Sequence, residues 1–260
     1  MKNYVILLAG GVGKRMGADI PKQFLMVKGK PIIVHTIERF QENSQIDKIV
    51  VVCVKEWKDY VEGLVKEYEL TKVIWITEGG STGHDSIRNG VFFLKDKIQP
   101  EDFVIVHDAV RPILPQKAID EVIRVAHEKG NASSSIVCHP PIVYTEDMVS
   151  GVKDIDREHV MLTASPQVYN YELVLKYYEK AERENEHNFT FTSSLLIHYG
   201  ERVYFAKGTT NNIKITKKED LALFEALYIA ARKAITMTYG KRLIMQWLST
   251  VCLLVSILLR

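Results

Sequence analysis

Near its start the chain reads Leu8-Ala9-Gly10-Gly11-Val12-Gly13-Lys14-Arg15-Met16-Gly17, directly after an apolar run. Three glycines in four positions allow φ > 0 and let backbone N–H groups close on an anion. Lys14, Arg15 and, a few residues on, Lys22 add positive charge where phosphates would lie. The segment is either a phosphate-holding loop or a plain tight turn. Neither standard phosphate loop fits the spacing. Walker A needs Ser or Thr after Gly-Lys, and Arg15 stands there; G-x-G-x-x-G fails because Gly17 comes one residue late. A second candidate is Asp108, which follows the apolar run Phe103–His107. A carboxylate at the end of a strand can hold Mg²⁺ between phosphate oxygens, or it can serve as a cap or turn residue. Arg111, three residues on, either binds a phosphate or braces the turn. His107 is read as structural.

These residues need a scaffold, and the hydrophobic pattern predicts one. Tyr4–Ala9, Lys48–Val54, Val73–Thr77, Phe103–His107 and Ser134–Cys138 are near-continuous apolar runs of strand length, suited to strands buried on both faces. Between and after them lie helix patterns at Pro31–Gln41, Trp57–Tyr68, Asp85–Leu94, Gln116–Lys129, Tyr171–Arg183 and Lys218–Arg232. Pro31 suits a first helical position, and Thr216-Lys217-Lys218-Glu219 reads as a capping box. The alternation predicts an α/β fold, Rossmann-like and doubly wound, with a mostly parallel sheet and its site at the carboxyl ends of the strands. Residues 139–165 break the rhythm with Pro140-Pro141 and a polar stretch, as an arm or flap would. The reading divides the chain into a domain over 1–233 and a tail over 234–260.

Composition excludes several classes of function. With 47% apolar and 25% charged residues the chain is an ordinary globular protein, neither disordered nor a disulfide scaffold. Its 34 Lys+Arg against 32 Asp+Glu leave a net charge of +2, so no bulk basic field argues for nucleic acid. Cys53, Cys138 and Cys252 lack metal or redox spacing and read as reduced thiols of a cytoplasmic protein. The tail is the exception. Leu243–Leu259 carries no charge between Lys241-Arg242 and Arg260, and as a helix it would span roughly 26 Å, the short limit for a bilayer. It is a membrane contact, a buried or partner-packed helix, or sequence foreign to the domain.

Taken in order, LAGGVGKRMG, Pro21-Lys22-Gln23-Phe24-Leu25, Gly79-Gly80-Ser81, Asp85-Ser86, Val106–Pro112, Arg157, Ser165-Pro166-Gln167 and Asn212–Thr216 resemble the nucleotidyltransferases that join CTP to a polyol phosphate. This family includes the 2-C-methyl-D-erythritol 4-phosphate and ribitol-5-phosphate cytidylyltransferases. The resemblance covers roughly residues 3–233. It implies transfer of CMP to a polyol phosphate with release of pyrophosphate, Mg²⁺ as cofactor with Asp108 as its ligand, and a homodimer formed through the arm. By the same resemblance Arg15 and Lys22 stabilise the transition state, and Arg157 and Lys214 orient the acceptor phosphate, Arg157 serving the partner subunit's site. Leu8, Ala9, Gly10, Gly11, Gly80, Ser81, Asp85 and Ser86 would hold the nucleotide, with Gly79–Asn89 reading cytosine. Arg111, Ser165 and Thr190 would hold the acceptor.

The sequence also departs from the family. Gly83 stands where an Arg is usual, so either the adjacent His84 takes over that contact or the triphosphate is held less tightly. Pro140-Pro141 replaces an Asp-Thr pair, Thr190-Phe191-Thr192 replaces Thr followed by two acidic residues, and Ser165 replaces Thr. Nucleotide chemistry therefore looks intact and acceptor recognition altered. Trp57 and Asp108-Ala109-Val110-Arg111 lean towards the ribitol-phosphate branch. The methylerythritol enzyme of isoprenoid biosynthesis is the alternative within the family, and a nucleotide-binding regulator without turnover is the alternative outside it.

Overall fold

A computed structural model describes residues 1–11 and 20–230. The loop carrying Lys14 and Arg15 and the C-terminal tail lie outside the described residues. In chain order the elements are β1 (Asn3–Ala9), β2 (Met26–Val27), β3 (Lys30–Pro31), α1 (Ile32–Gln41), β4 (Lys48–Cys53), α2 (Lys58–Glu67), β5 (Val73–Glu78) and α3 (Gly83–Phe93). There follow β6 (Phe103–Asp108), α4 (Gln116–Lys129), β7 (Asn131–Val137), β8 (Ile142–Tyr144), β9 (Lys153–Ile155), β10 (Met161–Asn170), α5 (Tyr171–Glu184), α6 (Thr192–His198) and β11 (Phe205–Lys207). Residues 218–230 form a further helix.

Seven strands make one sheet in the order β11-β7-β10-β6-β1-β4-β5, all parallel to their neighbours except β10, which runs antiparallel to both β6 and β7. Alternation along β1 explains why helices cover both faces. Val5, Leu7 and Ala9 pack with α1, α2 and α4, whereas Tyr4 and Ile6 pack with α3, α5 and α6. Gly90 lets α3 approach closely, since a Cβ there would lie 2.6 Å from the Ile6 side chain. From β1 the chain winds through β4 to β5, then returns to the other flank of β1 as β6. That reversal opens a crevice at the carboxyl ends of β1 and β6, the usual ligand position in such sheets. Gly10 follows β1 and Asp108 ends β6.

Several expectations need correction. β5 is an edge strand and only Val73 is buried, because no strand covers its outer side. Pro31 caps α1 from the β2–β3 hairpin and is not the first helical residue. The cap of the last helix is made by Asp220, whose Oδ2 accepts from Thr216 and from the Lys217 N–H; Glu219 takes no part in it. Within 139–165, only β8 and β9 form a separate projecting hairpin; from Met161 the chain already pairs with β7 in the main sheet. β10, α6 and β11 were not foreseen. Ile213–Ile215 joins no strand and is tied instead by the Ile215 N–H to the Val110 carbonyl at 3.0 Å.

Candidate functional site

The turn after β6 is built around one carboxylate. Asp108 Oδ2 accepts from Arg111 Nε at 2.9 Å, and Oδ1 accepts from Lys214 Nζ at 2.9 Å. Ser165 Oγ lies 3.2 Å from the Asp108 N–H, which it accepts, and 3.3 Å from Oδ2, to which it donates. Ser165 is presented where the β10–β7 ladder slips between Ala164 and Gln167. Arg111 Nη1 also donates to the Asn212 carbonyl at 2.8 Å, and Asn212 Nδ2 donates to the Ser165 carbonyl at 2.6 Å. Three distant stretches of sequence, 108–111, 165 and 212–214, are thereby locked together around Asp108. Burial pushes its carboxyl up, but Lys214 and then Arg111 outweigh that and hold it well below the usual carboxylate range. His107 is fully buried with its pKa pushed down to about 4 by burial; its Nε2 donates to the Arg111 carbonyl. It braces the turn as a neutral ring, as the sequence reading holds.

Lys22 lies in a 3₁₀ turn anchored by Phe24, which packs on Trp57 and Tyr60. Gln23 Nε2 ties that turn to the Ala9 carbonyl at 2.6 Å. Lys22 Nζ donates to the Ile215 carbonyl at 2.9 Å, so the glycine-loop side and the Lys214 side of the crevice are joined. Lys22 is almost wholly buried, whereas the Lys214 side chain is 36% exposed.

The segment Gly79–Asn89 closes the other wall. The Gly80 N–H donates to Ser86 Oγ at 3.1 Å, and Ser86 Oγ donates to the Thr82 carbonyl at 2.9 Å. A Cβ at Gly80 would sit 2.2 Å from that of Asp85, which is why glycine is needed there. Asp85 accepts from Ser81 and from the Thr82 N–H, completing a capping box for α3. The hydroxyl of Ser86 and the carboxylate of Asp85 thus hold the loop in shape. Ser86 keeps one oxygen lone pair for a ligand.

Leu8, Asp108, Arg111, Ser165, Thr190 and Lys214 line one cavity of about 350 Å³, a size within the range of small-molecule sites. Gly10 and Gly80 both approach Ser86 beside it. Arg157 is not among its walls. It lies in an exposed 3₁₀ turn, with Nη1 donating to the His139 carbonyl at 2.6 Å. Arg15 falls outside the described residues. His84, Gln167, Phe189 and Phe191 complete the cavity, and sequence reasoning gave none of them a definite place in it.

The donor set does not fit a metal bound by the protein alone. Both oxygens of Asp108 are taken by cations, and no group of three His, Cys, Asp or Glu is placed to hold an ion among the described residues. In this structure Asp108 is the anchor of Lys214 and Arg111.

Comparison with known proteins bears on the same residues. The sequence profile of 2-C-methyl-D-erythritol 4-phosphate cytidylyltransferase matches residues 3–230. The ribitol-5-phosphate cytidylyltransferase of Lacticaseibacillus paracasei is 41% identical over 223 residues, covering 85% of this chain and 95% of the relative. The 2-C-methyl-D-erythritol 4-phosphate cytidylyltransferase of Clostridium novyi is 38% identical over 229 residues, covering 87% and 96%. A crystal structure of 4-diphosphocytidyl-2C-methyl-D-erythritol synthase superposes with a TM-score of 0.74 over 88% of this chain and 100% of its own, at 21% identity, which speaks for the fold alone. The Francisella tularensis 2-C-methyl-D-erythritol 4-phosphate cytidylyltransferase gives 0.72 at 26% identity over 86% and 98%. The match spans the glycine loop, the Asp108 turn and the Lys214 segment together, and with them the chain belongs to the 2-C-methyl-D-erythritol 4-phosphate cytidylyltransferase family of CTP-dependent nucleotidyltransferases.

Proposed function

We propose that this enzyme transfers CMP from CTP to ribitol 5-phosphate, giving CDP-ribitol and pyrophosphate. The observation that carries the reading is the pair of cations, Lys214 and Arg111, held on Asp108 in a cavity large enough for a small polyol phosphate and joined to Lys22 through Ile215. The 41% identity to a ribitol-5-phosphate cytidylyltransferase supports ribitol as the polyol. An oxygen of the acceptor phosphate attacks the α-phosphorus of CTP. The bond from that phosphorus to the bridging oxygen breaks, and pyrophosphate leaves with its electrons. Charge gathers on the α-phosphoryl oxygens, so fixed cations supply most of the stabilisation. In this reading Lys22 and Arg15 meet that charge, while Lys214 and Arg111 hold the acceptor phosphate. Mg²⁺, when bound with the triphosphate, would offset the charge of its oxygens.

Leu8–Gly11 with Gly80, Ser81, Asp85 and Ser86 form the nucleotide side in this proposal; Ser165 and Thr190 join the acceptor side. The projecting hairpin leaves Val143, Tyr144, Met148, Val149 and Val152 exposed. That apolar surface supports a homodimer in which Arg157 reaches the partner's site. Among the described residues no helix is long and apolar enough to cross a membrane. We assign residues 1–233 to the enzyme, working in the cytoplasm, and 234–260 to a separable tail that contacts membranes. Pyrophosphate release from each of the four nucleoside triphosphates, with ribitol 5-phosphate and 2-C-methyl-D-erythritol 4-phosphate as acceptors, tests the reading. CTP with ribitol 5-phosphate should give the highest kcat/KM. A preference for the methylerythritol acceptor overturns the choice of polyol, and a purine preference overturns the cytosine site.

A further inference from the structure

The cavity lined by Arg111 and Lys214 also contains an unexplained polar group. His84 is the second residue of α3 and is 3% exposed. Its ring lies between Tyr178 and Phe189, with centroids 5.2 and 5.4 Å away. Its Nδ1 is buried without a hydrogen-bond partner among the described residues. Burial lowers its pKa, and the nearby charges of Asp85, Arg88, His187 and Glu182 act in opposing directions. The ring is therefore neutral near pH 7, with one nitrogen able to donate and the other to accept.

Packing alone does not account for a histidine here. A phenylalanine would fill the space between Tyr178 and Phe189 without leaving a buried nitrogen unmatched, and such orphaned groups are rare enough to need a reason. The surroundings supply one. Leu8, Ile87, Phe189 and Phe191 give the cavity an apolar lining, while Arg111 and Lys214 give it cations. A ligand with a phosphate head and a hydroxylated carbon chain matches both kinds of lining. Its phosphate would lie on the cations, and a chain hydroxyl would meet the imidazole.

We propose that His84 is the residue that reads the acceptor's carbon chain, exchanging a hydrogen bond with one of its hydroxyls and so selecting among polyol phosphates. The inference rests on the cytidylyltransferase reading above and adds to it the group that discriminates acceptors. A site that hydrogen-bonds a substrate hydroxyl rejects analogues lacking it far more strongly than an apolar pocket rejects a missing methylene.

The test uses the full-length wild-type protein with His84→Phe and His84→Gln. Calorimetric titration measures affinity for ribitol 5-phosphate, for each of its monodeoxy analogues, and for CTP. Steady-state pyrophosphate release gives kcat and KM for both substrates. Wild type should bind one deoxy analogue roughly 5- to 150-fold more weakly than ribitol 5-phosphate, the range for leaving one buried partner unmade. His84→Phe should lose that discrimination, with acceptor KM raised by a similar factor and CTP KM within twofold. His84→Gln should recover part of it. Equal wild-type binding of every deoxy analogue overturns the proposal, even if His84→Phe does not fold. So does a His84→Phe variant with unchanged acceptor KM, or one whose loss falls on CTP. If wild type binds no polyol phosphate and releases no pyrophosphate from CTP, the failure lies in the underlying reading and takes this proposal with it.

Discussion

Replacing Asp108 by Asn keeps the shape of the side chain and removes its charge. Arg111 and Lys214, each 2.9 Å from a carboxylate oxygen, would then face a neutral amide and each other. Removing one partner from a buried ion pair costs about 3–5 kcal/mol. Lys214 is 36% exposed and can turn to water, so the expected loss is smaller, about 1–3 kcal/mol. In a domain of this size that lowers Tm by roughly 2–10 °C. Activity should fall further, because two cations lose their aim at once; a loss of about 10²-fold in kcat matches removal of one preorganised group. The pH dependence has a definite sign. The folded carboxyl titrates below its unfolded value, so its contribution is complete above the unfolded pKa of about 4 and fades as pH falls below it. Urea unfolding of wild type and Asp108→Asn should therefore show the same gap at pH 7 and pH 5, narrowing only below about pH 4. A variant with unchanged Tm and kcat within threefold would refute the anchoring role. A gap that changed between pH 7 and pH 5 would refute the assignment of its origin.

Lys22→Ala should lower kcat about 10²-fold, as should Arg15→Ala, whereas near wild-type turnover in both would remove them from the transition state. Gly80→Ala places a methyl 2.2 Å from the Asp85 Cβ. It should destabilise the protein by about 1–3 kcal/mol and raise CTP KM, measured by urea unfolding and pyrophosphate release. Truncation after Lys233 should leave an active protein that no longer partitions with membranes in fractionation. An insoluble or inactive product would make the tail part of the core.

The central strands β1, β4 and β6 were legible because each is covered on both faces and so reads as an unbroken apolar run. β10 was not, because Met161–Asn170 mixes an exposed first half with a buried second half and carries Pro166 at the slip in its ladder. Asp108 and Arg111 were found as candidates from type and position, and Lys214 from the family resemblance. Their mutual pairing was not visible, since 106 residues separate Asp108 from Lys214 and nothing local records the contact. The resemblance singled out Ser86 and Asp85 as nucleotide-binding candidates. Their hydrogen bonds to Gly80 and Thr82 depend on the fold of the loop, which composition does not encode.

The pairing of Asp108 with Lys214 also sets an order of events during synthesis. Ribosomes extend chains N-terminal end first at about 5–20 residues per second. The 106 residues from Asp108 to Lys214 therefore take roughly 5–20 s to emerge. During that interval β1, β4 and β6 have all been made, yet neither the β10 edge nor the Lys214 segment has arrived for the earliest part of it. Arg111 alone must neutralise the new carboxylate. A nascent chain thus passes through a stage with a sheet but no finished pocket, and the acceptor phosphate cannot meet its pair of cations before Lys214 has emerged.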